Sequence, residues 1–476
     1  MPGKKFAGAY PYCFLVMVFM MAVLLWPAAQ AESDVRVVPQ TVRVGLTHSA
    51  PQVSFSLRGA YRLINANTGQ VIAEDREGHN WTVENAGGLL HVLRDGNRMG
   101  IYNGPIKAEE INVRRSILSG HGSLLQKETL SGAAVVGMGG NLQYLSGDRQ
   151  SGLHVIDGRG QINLLPRGQL NLVHLEGEGR VKRYRGNLEI RVNGDGLTVI
   201  NELPIEQYLY GVVPSEMPAT FPLEALKAQA VAARSYLIAQ LGSYGSHGFD
   251  VMDSQASQIY RGYDVENEVT TKAVDETRGL VLVYRGQPVA AFFHSSSGGF
   301  TENSEDVYSD ALGYVRGQKD PFDKNDKYYN WSVSYSAGEL TDTVNQQLKK
   351  FMRPEEYHIF AAITDLQELE RTGSGHRVKK LLITGPDIDG NLQRITVYNA
   401  ERVRMALGLR SAMFTMHKEL RPDGGISRVT FTGSGWGHGL GMSQWGAAGM
   451  AAGGYSFQDI LQYYYTGIEL LGNYGM

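Results

Sequence analysis

Three short stretches of this chain combine side chains that could do chemistry. The first is Pro214-Ser215-Glu216-Met217-Pro218. Glu216 sits between two prolines, each of which fixes its own φ and lacks an amide hydrogen. The residue ahead of each proline is restricted as well. Such a frame holds a carboxyl in one direction. Set against Val213 and Met217, that carboxyl would be shielded from water and its pKa raised, as a general acid requires. Taken alone, a glutamate between prolines is also an ordinary turn residue. The second stretch is His294-Ser295-Ser296-Ser297-Gly298-Gly299-Phe300-Thr301-Glu302-Asn303. Its hydroxyls and glycines let the backbone approach a ligand closely. Adjacent His294 and Ser295 in one strand point to opposite faces, and no G-x-S-x-G elbow is present, so a serine hydrolase is not expected. The third runs from Gly435 to Gly446, GWGHGLGMSQWG. Trp436 offers a face that stacks on a sugar ring, while His438 and Gln444 can bond hydroxyls. A glycine-rich core turn around a buried tryptophan would read the same way. It is no phosphate loop, having neither G-x-G-x-x-G nor a following Lys-Ser/Thr.

Metal chemistry finds little support. His247, Asp250 and Asp253 lie close together in sequence, but no H-E-x-x-H or cysteine cluster accompanies them. Asp320, Asp323 and Asp326 lie in the polar segment 317–330 without the spacing of an EF-hand, and that segment reads as a solvated loop. No cofactor and no metal are expected.

The elements that must position these residues can be read from their patterns. Residues 35–200 are β-rich: Val42–Leu46, Tyr61–Ile64, Leu89–Leu93 and Leu188–Val192 alternate between turn residues. Asn193-Gly194-Asp195-Gly196 is a hairpin signal ahead of Leu197–Ile200. This front carries no clustered chemistry and reads as a scaffold or wall-binding region. The texture changes near Asn201. Leu203–Val213 has helical spacing, which places Glu216 in a short link before a second helix, Pro222–Leu241, closed by Gly242. A strand is expected over Val281–Phe293, a helix over Ala337–Phe351 and an α+β stretch over Val378–Leu409. The fold class is therefore α+β: a β-rich amino-terminal region, then a mixed domain with an extended groove.

Composition limits the functions open to such a fold. The chain has 476 residues, 42% of them hydrophobic and 20% charged, an ordinary globular balance that excludes wholesale disorder. Its net charge of −3 provides no broad basic field, so nucleic acid is not an expected partner. Residues 1–31 read as a secretory signal: Lys4 and Lys5, an apolar run from Cys13 to Trp26, then Pro27 and Ala29-Gln30-Ala31. The alternative is an uncleaved anchor, since the uncharged stretch from Phe6 to Ala31 is long enough to span a bilayer. The protein would then be exported to a bacterial cell envelope, touching the membrane only if the signal is retained. Cys13 is the one cysteine, so the exported part would be held by its core and not by disulfides. The expected division is a signal over 1–31, a β-rich region over 32–184 and a catalytic domain over 185–476.

Taken together, LPIEQYLYGVVPSEMPATFPLEALKAQAVAARSYLIAQL at 203–241, FFHSSSGGFTEN at 292–303 and SGWGHGLGMSQWGAAGMAAGGYSFQDILQYYYTGIEL at 434–470 resemble the stage II sporulation protein D / LytB family. The resemblance covers about residues 185–476. It implies a lytic transglycosylase that cleaves between N-acetylmuramic acid and N-acetylglucosamine in peptidoglycan glycan strands stripped of stem peptides, leaving a 1,6-anhydro sugar. It implies Glu216 as the catalytic acid; for such an enzyme we expect His294, Ser295, Trp436, His438 and Gln444 to bind the substrate along the walls. The LytB branch implies an alternative, a non-catalytic protein that binds glycan and enhances an N-acetylmuramoyl-L-alanine amidase. Some members bind zinc through a Cys, His and Cys. Here those positions are Met252, Ala256 and Ser257, which are not zinc ligands.

Overall fold

The structure is a computed structural model. It describes residues 40–111 and 170–472 apart from residues 178, 309, 354, 355, 358 and 375, together with the backbone of six short strands between residues 115 and 164. The segment 1–31, expected as a signal or anchor, lies outside the described residues.

Two sheets build the front. The first contains, in spatial order, β19 (Val251–Met252), β1 (Thr41–Ala50), β18 (Gly196–Pro204), β17 (Asn187–Asn193), β8 (Ile106–Glu110), β3 (Tyr61–Asn65) and β4 (Val71–Asp75). The second contains β16 (Arg180–Tyr184), β15 (Leu172–Gly177), β2 (Gln52–Arg58), β5 (Asn80–Ala86), β6 (Leu89–Arg94) and β7 (Asn97–Tyr102). Period-two patterning sets which faces meet: Val53, Phe55 and Leu57 of β2 turn inward, as do Trp81 and Val83 of β5. The six short strands pair as hairpins: β9 (Arg115–Leu118) with β10 (Leu124–Glu128), β11 (Ala133–Val136) with β12 (Leu142–Leu145), and β13 (His154–Ile156) with β14 (Ile162–Leu164). Strands from both sides of residue 185 share the first sheet, because β1 pairs along the length of β18.

β18 links this frame to the chemistry. Its residues Gly196 to Asn201 are all buried, the pattern of a strand covered on both faces. One side meets β2 and β5, and the other meets the helix that follows. The β17–β18 hairpin turns at Gly194-Asp195 as its sequence predicts, with Gly194 at φ +61°, a conformation that suits glycine.

Helices then carry the chain onward: α1 (Ile205–Glu216), α2 (Leu223–Gln240) and α3 (Glu268–Glu276). α1 continues through Pro214 to end at Glu216 itself, so Glu216 is not in a link as expected from the sequence. Pro214 lies in the last turn, where it sacrifices a single ladder bond. Ser215 Oγ donates to the Gly211 carbonyl at 2.6 Å, and the Met217 amide donates to Val213 O at 2.9 Å, which closes the turn. α2 matches its prediction and meets Gly242 at φ +78°. An Arg234 fork on α2 holds Glu206 of α1 at 2.7 and 2.9 Å and locks the two helices together.

The expected strand over Val281–Phe293 is broken into β20 (Val281–Tyr284), β21 (Gln287–Pro288) and β22 (Phe293–His294). Arg285 and Gly286 both take positive φ, 52° and 75°, which makes a tight hairpin turn. After α4 (Ser304–Val307) comes a second packed core. There α5 (Ala337–Leu348) and α6 (Ala400–Ala406) cover two three-stranded sheets. The sheets are β23 (Asn330–Ser336), β28 (Ile426–Ser434) and β27 (Phe414–Leu420), and β24 (Asp365–Arg371), β25 (Val378–Pro386) and β26 (Leu392–Tyr398). Trp331, Leu340, Val344, Ile383, Val403 and Phe431 fill this core. The chain closes with β29 (Met442–Ser443), α7 (Gln444–Ala452), α8 (Phe457–Tyr464) and β30 (Glu469–Leu471), which pairs with β20.

The segment 317–330 is not the solvated loop its composition suggests. Asp320 and Asp323 are fully enclosed and Asp326 nearly so. Asp323 Oδ2 accepts from Ser296 Oγ, Ser297 Oγ and the Gly298 amide at 2.8–2.9 Å. The acids are buried because they support the serine-glycine turn from beneath.

Candidate active site

Glu216 is positioned from three directions. α1 delivers it at its carboxyl end. A loop running from Asp253 to Tyr260 crosses over that end, and the Ile259 amide donates to Glu216 Oε1 at 2.8 Å. The loop can lie this close because residue 211 is glycine: a Cβ there would stand 2.7 Å from the Tyr260 ring and 2.9 Å from the Gly262 carbonyl. Gln258 and Tyr260 hold the loop down. Gln258 Nε2 donates to Ala233 O at 3.2 Å, and the Tyr260 hydroxyl donates to Asn201 Oδ1 at 2.8 Å.

The third direction is Gln444, the first residue of α7, which Ser443 caps by accepting from the Gly446 amide at 3.1 Å. The Gln444 side chain donates to Gln229 Oε1 of α2 at 3.4 Å and lies near enough to the Glu216 carboxyl to favour its charged form. Burial holds the Glu216 pKa above its ordinary value of 4.5, against the Ile259 amide, Gln444 and Arg261, which all favour the charged form. No carboxylate contributes to that shift.

The second and third sequence stretches meet as backbone. β22 and β29 run parallel, pairing His294 with Ser443. The Trp445 amide donates to Ser295 O at 3.0 Å, and Ser296 and Trp436 exchange amide bonds at 3.0 and 2.8 Å. Glycines 435, 437, 439 and 441 all have positive φ, and a Cβ on Gly441 would stand 2.2 Å from the Phe292 carbonyl. The two loops are thus one wall, and Gln444 and Ser295 both lie on it.

The remaining candidates spread along this wall. His294 is 5% exposed and stands behind His438, with ring centroids 5.4 Å apart. Its Nδ1 donates to the Leu440 carbonyl at 3.1 Å, and His438 Nδ1 accepts from the Leu440 amide at 2.9 Å. Burial and mutual repulsion hold the His294 pKa well below its ordinary value. Burial pushes His438 down to about 4 in spite of Glu401, so at neutral pH neither carries charge. Trp436 is exposed and farther along, packed edge-on against Tyr328 at 4.8 Å.

Several residues here escaped the sequence reading. Tyr236 of α2 senses the Glu216 charge and packs on Phe292 at 5.8 Å. Phe292 contacts Tyr308 at 5.6 Å, and Tyr308 contacts His438 at 6.1 Å. Phe221 meets Trp445 at 4.8 Å. An aromatic surface therefore leads away from Glu216, built from residues that lie far apart in the sequence. Of the three positions weighed above as zinc ligands, Met252 lies in β19, its amide donates to Ser257 Oγ at 3.1 Å, and Ala256 is exposed. These residues do not fit zinc. Among the described residues no group of three or more His, Cys, Asp or Glu is arranged to hold a metal ion.

Fold and site together define an α+β protein with a burial-raised carboxyl at a helix end, facing a glycine-rich wall. Comparison with known proteins agrees with the quoted motifs. A family model described as Stage II sporulation protein matches residues 193–284, and a domain of unknown function matches residues 303–441. The stage II sporulation protein D of Bacillus subtilis is 33% identical over 286 residues, covering 57% of this chain and 75% of that protein. That of Bacillus amyloliquefaciens is 34% identical over the same shares. The amidase enhancer of Bacillus subtilis is 33% identical over 291 residues, 55% of this chain and 40% of that one. The chain belongs to the stage II sporulation protein D family.

Proposed function

We propose that this protein is a peptidoglycan lytic transglycosylase of the bacterial cell envelope, with Glu216 as its acid and base. The observation that carries the reading is the Glu216 carboxyl, its pKa raised by burial and its Oε1 held by the Ile259 amide. A carboxyl of raised pKa retains its proton nearer neutrality and can deliver it to a glycosidic oxygen. Ordinary glycosidases need a second carboxylate as nucleophile or water-activating base. In a lytic transglycosylase the 6-hydroxyl of the sugar attacks the oxocarbenium-like centre, and ionised Glu216 takes the hydroxyl proton. The bond to the leaving sugar breaks, the bond from O6 to C1 forms, and Glu216 returns to its acid form.

The wall supports a polymer substrate. Tyr236, Phe292 and Tyr308 present ring faces and edges to a sugar chain, and Ser295, His438 and Trp436 line its continuation. His294, enclosed behind His438, acts as a positioning residue for that ring. Export through residues 1–31 would bring the protein to its substrate.

A second reading follows from the relative named amidase enhancer: the protein binds glycan strands and stimulates a cell-wall amidase. Mass spectrometry of products from peptide-free glycan strands separates the two. Anhydro-muramic ends from residues 32–476, absent with Glu216→Gln, are expected for the enzyme. Plain reducing ends would mean hydrolysis. No products from the folded protein, with amidase stimulation unchanged by Glu216→Gln, would leave the second reading.

A further inference from the structure

We propose that Arg410, with Tyr328 and Trp436, forms a subsite for a sugar ring bearing a free carboxylate; this rests on the glycan reading and adds the group that the wall recognises. The Arg410 guanidinium lies 4.5 Å from the Tyr328 ring centre and 5.8 Å from that of Trp436. Stacking of this kind fixes the plane of the guanidinium. Among the described residues Arg410 makes no salt bridge, unlike the enclosed Arg234 and Arg377, each paired with a glutamate. Its Nε is enclosed without a partner, whereas neither Nη is both enclosed and unpartnered. The open end of the fork is therefore what remains for an incoming anion, and two Nη donors match the two oxygens of a carboxylate.

The surroundings suit a sugar acid better than a bare anion. Trp436 is 41% exposed, giving an apolar face for a pyranose ring beside the charge. Lys327 Nζ lies 4.7 Å from the Tyr328 ring centre and adds a second cation. The nearby Asp326 carboxyl is turned inward, 5% exposed, and accepts from the Tyr328 amide at 3.0 Å. The subsite also belongs to the wall that reaches Glu216. Trp436 is bonded to Ser296, the next residue, Ser295, accepts from Trp445, and Gln444 precedes Trp445. Each N-acetylmuramic acid of a peptide-stripped strand carries a free lactyl carboxylate. In a peptide-bearing strand that group is an amide, which offers the fork no charge.

The test is binding, measured by calorimetry on the full chain carrying Glu216→Gln, so that cleavage plays no part. The ligands are peptide-free glycan oligomers and the same oligomers with the lactyl carboxyl converted to its methylamide. Loss of a charged hydrogen-bonding partner predicts about tenfold weaker binding of the amide. Adding Arg410→Gln should weaken the carboxylate oligomer by about the same factor and leave the amide within about twofold. Arg410→Lys, which keeps the charge but not the planar fork, should retain part of both the affinity and the discrimination. Equal binding of both oligomers by the Glu216→Gln chain overturns the subsite whether or not the Arg410 variants fold. So does equal loss of both in Arg410→Gln, which would make the stack a structural contact only. Failure to bind either oligomer overturns the glycan reading and the subsite together. A preference for the carboxylate, together with no cleavage of the same oligomers by the chain that retains Glu216, would sink the enzyme and leave the subsite standing.

Discussion

Arg377 and Glu302 form an ion pair at 3.1 Å in which both side chains are almost wholly enclosed, 1% and 0% exposed. The arginine is bonded to one loop of the wall and packed against the other. Its Nη2 donates to Ser297 O at 2.8 Å and its Nη1 to Phe300 O at 2.9 Å, while a Cβ on Gly439 would stand 2.5 Å from its Cζ. Glu302 accepts from Thr372 Oγ1 at 3.1 Å and Ser374 Oγ at 2.5 Å, and its amide donates to Gly439 O at 2.8 Å. Removing one partner leaves the other charge buried and uncompensated. Arg377→Ala should therefore destabilise the protein by about 3–5 kcal/mol, as read from denaturant unfolding. Replacing both together, Arg377→Met with Glu302→Leu, should cost less than either alone. Loss of less than about 1 kcal/mol in Arg377→Ala would mean that the pair does not hold the wall.

Glu216 links pH to activity through its partners. As an acid it must be protonated, so kcat/KM should fall as pH rises through its pKa, which lies above 4.5. Gln444 favours the ionised form. Gln444→Leu should therefore raise the pKa further and move the alkaline limb of the pH profile upward. A limb that stays in place would detach Gln444 from the titration.

The same shift has a stability side. A carboxyl whose folded pKa is raised costs stability once it ionises. The cost is absent below the unfolded pKa and complete above the folded one. Glu216→Gln should melt above the parent at pH 8 and level with it near pH 3.5. Equal melting temperatures at both pH values would argue against burial as the cause of the shift.

Asp320 makes a sharper version of this prediction. Its pKa is pushed up to about 6 from 3.8, by burial first and by Asp323 next. Ionising it in the folded state should cost about 3 kcal/mol as pH rises from about 4 to above 6. Asp320→Asn, which retains an acceptor for the Phe322 amide, should stabilise the protein at pH 7.5 and lose that advantage at pH 4. Urea midpoints at the two pH values decide it. A variant less stable than the parent at pH 7.5 would show that the ionised carboxylate is needed.

Gly211→Ala tests the contact that brings the Ile259 amide to the carboxyl. The new methyl would meet the Tyr260 ring and the Gly262 carbonyl below 3.0 Å. Overpacking of this kind costs about 1–3 kcal/mol, and the displaced loop should lower kcat more than it raises KM. Wild-type kcat with unchanged stability would show that the loop gives way freely.

Much of this protein was open to a reader of its sequence, and the exceptions share a cause. The alternation in Val42–Leu46, Tyr61–Ile64, Leu89–Leu93 and Leu188–Val192, the turn at Gly194-Asp195 and the helix ended by Gly242 are local patterns, and β1, β3, β6, β17, β18 and α2 obey them. The placement of Glu216 at a helix end was missed because Pro214 reads as a breaker until Ser215 and Met217 are seen to close the turn. The burial of Asp320, Asp323 and Asp326 was missed because polar composition implies solvent, whereas their partners, Ser296 and Ser297, lie more than twenty residues away.

By itself the sequence determined most of the elements, the three motifs and the choice of Glu216 as the carboxyl to watch, since propensity, turn chemistry and motif spacing all act over a few residues. Only the tertiary structure decided what surrounds that carboxyl. The Ile259 amide lies 43 residues from it, Gln444 meets Gln229 across 215 residues, and Arg377 reaches Ser297 across 80. A pKa, a shared wall and a buried ion pair depend on which groups meet after folding, because desolvation and short-range hydrogen bonding act through space and leave no period in the chain.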